Sequence, residues 1–249
     1  LELAYPYVLF DLGNTLIYFD GTWKQVIDEM NQAVTDALCE MGYRLDRQSF
    51  PSEFGTLADQ YYQRRDEDYV ETTTLEVLRQ ALAANHIHNV ETHELRKAVQ
   101  KMFAVSQAHW HVEPDTASTL EALRASGRRL GIISNASDDQ DVQTLIDKAG
   151  IRSFFDVVVV SAAYGWRKPG KKIFDRALDH WKAGPDQAVM IGDTLPADIL
   201  GANQAGIASI WIRRRVDTPE NHALAESIRP RATVDSLAEI PALLDRRGW

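Results

Sequence analysis

Five short apolar runs, the first of them cut off from the other four by a long helical stretch, restrict this chain to few architectures. The runs fall at 7–10, 130–133, 157–160, 188–191 and 207–212, and helical periodicity lies near 116–126, 139–149, 171–182 and 197–205. Short runs rich in Val and Ile that alternate with helices read as strands of a parallel sheet covered on both faces. The expected fold class is therefore α/β, with a doubly wound parallel sheet. From about Thr22 to His109 the apolar residues instead recur three and four apart: Val26, Met30, Val34, Leu38 and Met41, then Leu75, Leu78 and Leu82. That is a helical pattern. A block of roughly 90 residues is too long for a loop and suits a small helical domain inserted after the first strand. The expected organisation is an α/β core from 1–20 and 110–249, with 21–109 an inserted α-helical domain.

Composition narrows the partners. A net charge of -9 argues against non-specific nucleic-acid binding, which needs a basic face to displace counterions. An anionic substrate stays compatible, because a metal or a few local cations reverse the potential inside one cleft. Cys39 is the only cysteine, so neither an intramolecular disulfide nor a thiolate cluster is expected, and its place in an amphipathic stretch reads as packing. A lone thiol fits a reducing cytosol, so a cytoplasmic location is expected. Leu1-Glu2-Leu3-Ala4 has no basic segment followed by an apolar one, so no secretory leader is expected there. The apolar runs fall far short of the roughly 18 residues a membrane span needs, so no membrane partner is expected.

The reactive residues collect at the carboxyl ends of the strands, where open parallel sheets bind ligands. The first run ends in Asp11 (F-D-L-G-N-T-L) and the second in Ser134 (I-I-S-N-A-S). Lys168 follows the third (G-W-R-K-P-G), and the fourth ends in Asp193, with Asp198 five residues on (I-G-D-T-L-P-A-D-I). One Asp after a strand is ordinarily a helix cap or a turn residue. Carboxylate, hydroxyl, ammonium and carboxylate at four successive strand ends together make a site. Two carboxylates on different strand ends suit Mg²⁺, which one or two carboxylates, water and substrate phosphate commonly hold. Lys168 supplies a point charge for phosphate oxygens or for a carboxylate nucleophile, and Ser134 a hydrogen-bond donor. A carboxylate can also act as nucleophile, forming an aspartyl-phosphate that water then cleaves.

These four blocks, in this order and over nearly the whole chain, resemble the haloacid dehalogenase (HAD) superfamily. An insertion between the first and second blocks resembles its subgroup with a helical cap. The resemblance implies a HAD-like Rossmannoid core and makes Asp11 the nucleophile and first Mg²⁺ ligand. It makes the main-chain carbonyl of Gly13 a second ligand, Asp193 an acidic ligand, and Asp198 a supporting acid for metal-bound water or Lys168. Thr15 resembles the hydroxyl completing the nucleophile loop, Ser134 with the Asn135 amide the phosphate-binding second block, and Lys168 the third. Thr15, Ser134, Asn135 and Lys168 are accordingly the expected substrate contacts.

The departure is at position 13. Phosphatases of this family usually read D-x-D, the second Asp protonating the leaving alcohol and then activating water; here Gly13 has no proton to give. General acid–base assistance typically contributes about 10²–10⁴-fold. Locally, Gly13-Asn14 reads as a turn in which Gly allows positive φ. The leading expectation is a Mg²⁺-dependent hydrolase acting on a small phosphorylated metabolite. The alternatives are a carbon–halogen hydrolase of the 2-haloacid dehalogenase type, and a non-catalytic module that binds a phosphorylated ligand. Asp20 is a candidate substitute for the missing acid/base.

Other signals read as structural. His86, His88 and His93 lack carboxylates at useful spacing and read as a solvated connector. His109-Trp110-His111 reads mainly as packing of Trp110. Tyr61-Tyr62 with Arg64-Arg65 reads as core tyrosines beside a solvated face. Arg213-Arg214-Arg215 reads as a solvated charge run at a strand end.

Overall fold

The computed structural model describes residues 3–246 and 249, apart from the side chains at 66 and 220. Leu1 and Glu2, part of the segment in which no leader is expected, lie outside the described residues.

The sheet has six strands, all parallel: β1 Tyr7–Phe10, β4 Arg129–Ser134, β5 Phe155–Val160, β6 Ala188–Gly192, β7 Ala208–Ile212 and β8 Ala232–Val234. Their order is β5-β4-β1-β6-β7-β8, so β1 is central, with Tyr7 opposite Arg129 on one side and Ala188 on the other. The chain builds outward through β4 and β5, then returns to the other side of β1 for β6. The loops after β1, β4 and β6 therefore meet at a switch point, where such sheets bind ligands. Five strands coincide with the apolar runs. The sixth, β8, is three residues at an edge (Ala-Thr-Val), too short to register as a run.

Burial on both faces explains why β1 reads as continuously apolar: Val8, Leu9 and Phe10 have no solvent exposure. One face packs on the helix Lys171–Trp181, which contributes Phe174, Leu178 and Trp181 to a cluster with Leu9, Ile133 and Met190. Gly131 makes this approach possible, since a Cβ there would lie 2.8 Å from the Trp181 ring.

The chain divides into two compact units, Leu1–Phe19 with His111–Ala136 and Ile146–Trp249, and Asp20–Trp110 with Ser137–Leu145. It passes between them through a two-stranded ribbon of β2 Ile17–Phe19 and β3 Trp110–Val112. The second unit is built on α1 Trp23–Glu40, α2 Phe50–Asp68, α3 Thr74–Ala84 and α4 Thr92–Gln107. Their buried stripes, such as Val26, Met30, Val34 and Leu38 on α1, are those read from the sequence. Thr73 and Glu76 cap α3 reciprocally. The segment 137–145 joins this unit through Thr74, whose N–H and hydroxyl meet Ser137 at 2.9 Å, and through Gln107, which donates to Asp141 at 2.8 Å. Its helical pattern alone places that segment with the core.

Cys39 is half-buried with Sγ 3.8 Å from the Leu45 carbonyl. Among the described residues no helix is long and apolar enough to cross a membrane.

Candidate active site

The nucleophile candidate is held by the continuation of its strand. Asp11 N–H donates to the Ile191 carbonyl at 2.8 Å, extending the pairing of β1 with β6 by one residue. The chain then turns so that the N–H groups of Leu16 and Ile17 both donate to the Leu12 carbonyl, at 2.9 and 3.1 Å. Asn14 takes the left-handed conformation of this turn (φ 55°), and Gly13 does not. The expectation that glycine supplies positive φ is corrected: Asn, which tolerates that region, supplies it one residue later.

Lys168 is delivered by a latch between two strand ends. The Asn135 side chain, just past β4, donates to the Lys168 carbonyl and accepts from its N–H, both at 2.8 Å. Ser161, just past β5, donates to the Ala136 carbonyl at 3.0 Å and accepts from its N–H at 2.9 Å. The Lys168 ammonium then reaches Asp11 Oδ1 at 2.6 Å, Asp198 Oδ1 at 2.7 Å and the Ile133 carbonyl at 2.7 Å. It donates to Asp11 and the Ile133 carbonyl and pairs with the Asp198 charge.

Asp193 follows β6 directly, and Trp211 Nε1 of β7 donates to its carbonyl at 2.8 Å. Asp198 returns to the same place because Leu195–Ile199 forms a π-helical turn, a local irregularity often found at functional sites. Its Oδ2 accepts from Thr194 N–H at 2.9 Å. Glycine at 192 makes room, since a Cβ there would lie 2.3 Å from Asp198 Cγ.

Electrostatically the site carries three carboxylates and one ammonium. Asp11, Asp193 and Asp198 each offer an oxygen within 4.8 Å of the others. Burial pushes Asp11 up to about 6, against the pull of Lys168 and with the Asp198 charge adding to the rise. Burial also lifts Asp193 well above the usual carboxylate range, helped by the charges of Asp11 and Asp198. Burial opposes the charge on Lys168, but Asp11 and Asp198 outweigh it and hold its pKa above the ordinary value. Asp198 has the Lys168 ammonium 2.7 Å from Oδ1 and the Thr194 N–H on Oδ2, whereas among the described residues the Asp193 carboxylate has only the Thr194 hydroxyl, 3.2 Å from Oδ1. Three buried carboxylates around one ammonium, one of them without an ion pair among the described residues, fit a divalent cation held by Asp11 and Asp193.

The remaining expectations fare unevenly. Ser134 lies at the end of β4, 6% exposed. Asn135 is present, but its side-chain amide is committed to the Lys168 main chain, so any substrate contact falls to its backbone. Thr15, expected to touch substrate, is fully buried, and its hydroxyl has no partner among the described residues. Asp20 is exposed, its main-chain N–H and carbonyl engaged by His109.

The Arg run is not a solvated patch. Arg214 donates to Glu113 and Asp115 at 2.8 Å, Arg215 to Glu113 at 2.6 Å, and Arg213 to Asp235 at 2.5 Å. Glu113 in turn donates its N–H to the Leu16 carbonyl at the end of the turn that follows Asp11. Tyr61 and Tyr62 are half-buried and not core, with Arg65 4.2 Å over the Tyr62 ring. Trp110 packs edge-on against Trp23 at 5.9 Å, as its packing assignment expects, and His86, His88 and His93 are exposed. Gly192, Ser161 and Trp211 were not singled out from the sequence; only the Gly-Asp pair at the end of β6 offered a local signal.

Comparison with known proteins gives the family. A family model for haloacid dehalogenase-like hydrolases matches residues 5–206. A glyceraldehyde 3-phosphate phosphatase of Methanothermobacter thermautotrophicus is 30% identical over 241 residues, covering 95% of this chain and 98% of its own. A ribulose-1,5-bisphosphate 5-phosphatase of Halopiger xanaduensis is 26% identical, covering 95% of this chain and 98% of its own. In fold, the chain is similar to a 2-haloacid dehalogenase from Pseudomonas syringae pv. Tomato, with a TM-score of 0.65 and 24% identity over 96% of this chain and 98% of that one. This chain belongs to the haloacid dehalogenase-like hydrolases.

Proposed function

We propose that this hydrolase is a Mg²⁺-dependent phosphatase that cleaves a small phosphate monoester through an aspartyl-phosphate on Asp11. One observation supports the reading: the buried Lys168 ammonium is shared by Asp11 and Asp198, at 2.6 and 2.7 Å, which leaves Asp193 beside them with no ion pair among the described residues.

Mg²⁺ held by Asp11, the Gly13 carbonyl and Asp193 would neutralise phosphate oxygens and keep Asp11 ionised. Lys168 fixes the Asp11 carboxylate so that its oxygen attacks phosphorus; the bond from phosphorus to the ester oxygen breaks and the alcohol leaves with the electron pair. The Ser134 hydroxyl donates to a phosphate oxygen. Water then attacks the phosphorus of the aspartyl-phosphate, releasing inorganic phosphate and restoring the Asp11 carboxylate. Gly13 gives the departing alkoxide no proton, so esters with a good leaving oxygen are favoured, with Asp20 the candidate donor for the rest. Both relatives compared over their full length are named for phosphorylated sugars, which makes sugar phosphates the first substrates to try.

The test is a panel of sugar phosphates, nucleotides and 2-haloacids, each assayed with Mg²⁺ and with EDTA. Phosphate release that requires the metal is expected; halide release in EDTA would replace this reading.

A further inference from the structure

The helical unit contains a cleft of about 1020 Å³ between α1 and α2, floored by α4, a volume typical of small-molecule pockets. Met30, Phe54 and Met102 form its buried floor, with Tyr62 and Phe103 half-buried along its sides. At the bottom lies Asn31, 6% exposed, whose side-chain amide makes no hydrogen bond among the described residues. Asn31 is among the residues that line the cleft. Its space is provided by Gly55 in the interior of α2, where a Cβ would lie 2.8 Å from Asn31 Nδ2.

Each of these residues costs stability by itself. An amide at a core-facing position of α1 gives up apolar burial, and a mid-helix glycine weakens the helix. Two local departures that meet at one point in a cavity mark a functional constraint. The cations at the rim are already neutralised, Lys24 by Asp28 at 3.2 Å and Arg47 by Asp36, so nothing in the cleft calls for a phosphate.

We infer that this cleft is a second ligand site, taking a neutral, flat, mostly apolar molecule whose adjacent donor and acceptor pair with the Asn31 amide, as a nucleobase or an aryl amide does. The aromatic and thioether walls supply stacking and dispersion contacts, and Asn31 fixes orientation through one donated and one accepted hydrogen bond.

Uracil, adenine and benzamide, none of which carries phosphate, are the probes, titrated into the full chain by calorimetry and protein-observed NMR. At least one is expected to bind saturably in the submillimolar range. Binding should weaken at least tenfold in Asn31→Leu and also in Gly55→Ala, which crowds the amide while keeping it, with both variants' folding checked by thermal melt. Asp11→Asn should leave this binding unchanged, so the result is independent of the phosphatase reading. Absence of binding by all three probes, or binding undiminished in both cleft variants, overturns the inference.

Discussion

Lys168 holds Asp11 through a 2.6 Å contact between its ammonium and Oδ1, with the Lys side chain only 1% exposed. The same ammonium neutralises Asp198, so one buried cation fixes two carboxylates from different strand ends. Lys168→Met leaves both without it. Breaking a buried pair typically costs roughly 3–5 kcal/mol, and removing one electrostatic stabiliser of a transition state costs on the order of 10²–10³ in rate. Thermal melts and steady-state hydrolysis of a phosphate ester are expected to show both losses in the same variant. A near-normal rate would remove Lys168 from the chemistry.

The site's pH dependence follows from the direction of its shifts. Asp11 rises from 3.8 to about 6 and Asp193 well above its usual range, mainly through burial. A carboxyl whose pKa is higher folded than unfolded adds stability below the unfolded value and loses it as pH rises through the folded value. In metal-free protein Asp11 therefore weakens the fold increasingly as pH climbs from about 4 to about 6, and Asp193 does so as pH rises through its own raised value. Mg²⁺ binds the deprotonated carboxylates and acts in the opposite sense. At a concentration near 100 times its Kd it adds about 2.7 kcal/mol, or roughly 5–11 °C in Tm for a chain of this size. Melts with Mg²⁺ and with EDTA are expected to show that gain at about pH 7.5 and little of it at about pH 5. An equal gain at both pH values would contradict the assignment of Asp11 and Asp193 as ligands.

Gly192→Ala tests the geometry behind Asp198. The new Cβ would sit 2.3 Å from Asp198 Cγ, so the carboxylate must leave Lys168 and Thr194. The expected outcome is a fall in kcat of on the order of 10-fold or more, with a lower Tm from overpacking of about 1–3 kcal/mol. A variant with wild-type kcat would show that Asp198 does not position Lys168.

Gly13→Asp asks whether the missing acid can be restored. Position 13 is not in the left-handed region, which Asn14 occupies (φ 55°), so a side chain meets no φ penalty. Alkyl phosphates, whose leaving alkoxide needs a proton, should gain roughly 10²-fold in kcat, with aryl phosphates gaining far less. Equal change for both ester types would show that position 13 does not supply the proton.

What was legible in the sequence followed from how far each interaction reaches along the chain. The five long strands were visible because burial on both faces makes a parallel strand apolar without interruption, as in Val8-Leu9-Phe10. The strand-end residues were visible because a parallel sheet delivers every carboxyl end to one edge, and Asp11, Lys168, Asp193 and Asp198 do meet there. The hidden parts depend on partners far away in sequence. Nothing near Arg214 announces Glu113, 101 positions earlier, and nothing near Asn135 announces that its amide will be spent on Lys168, 33 positions on. The edge strand β8 and the ribbon strands β2 and β3, three residues each, are too short for any period to register.

The central claim is that Asp11 becomes phosphorylated. A single turnover with an ester carrying labelled phosphate, quenched in acid and digested, should place the label on the peptide containing Asp11. In Asp11→Asn both that label and phosphate release should disappear. Phosphate release at the wild-type rate from Asp11→Asn, or turnover by the wild type with no label ever on that peptide, would contradict the account.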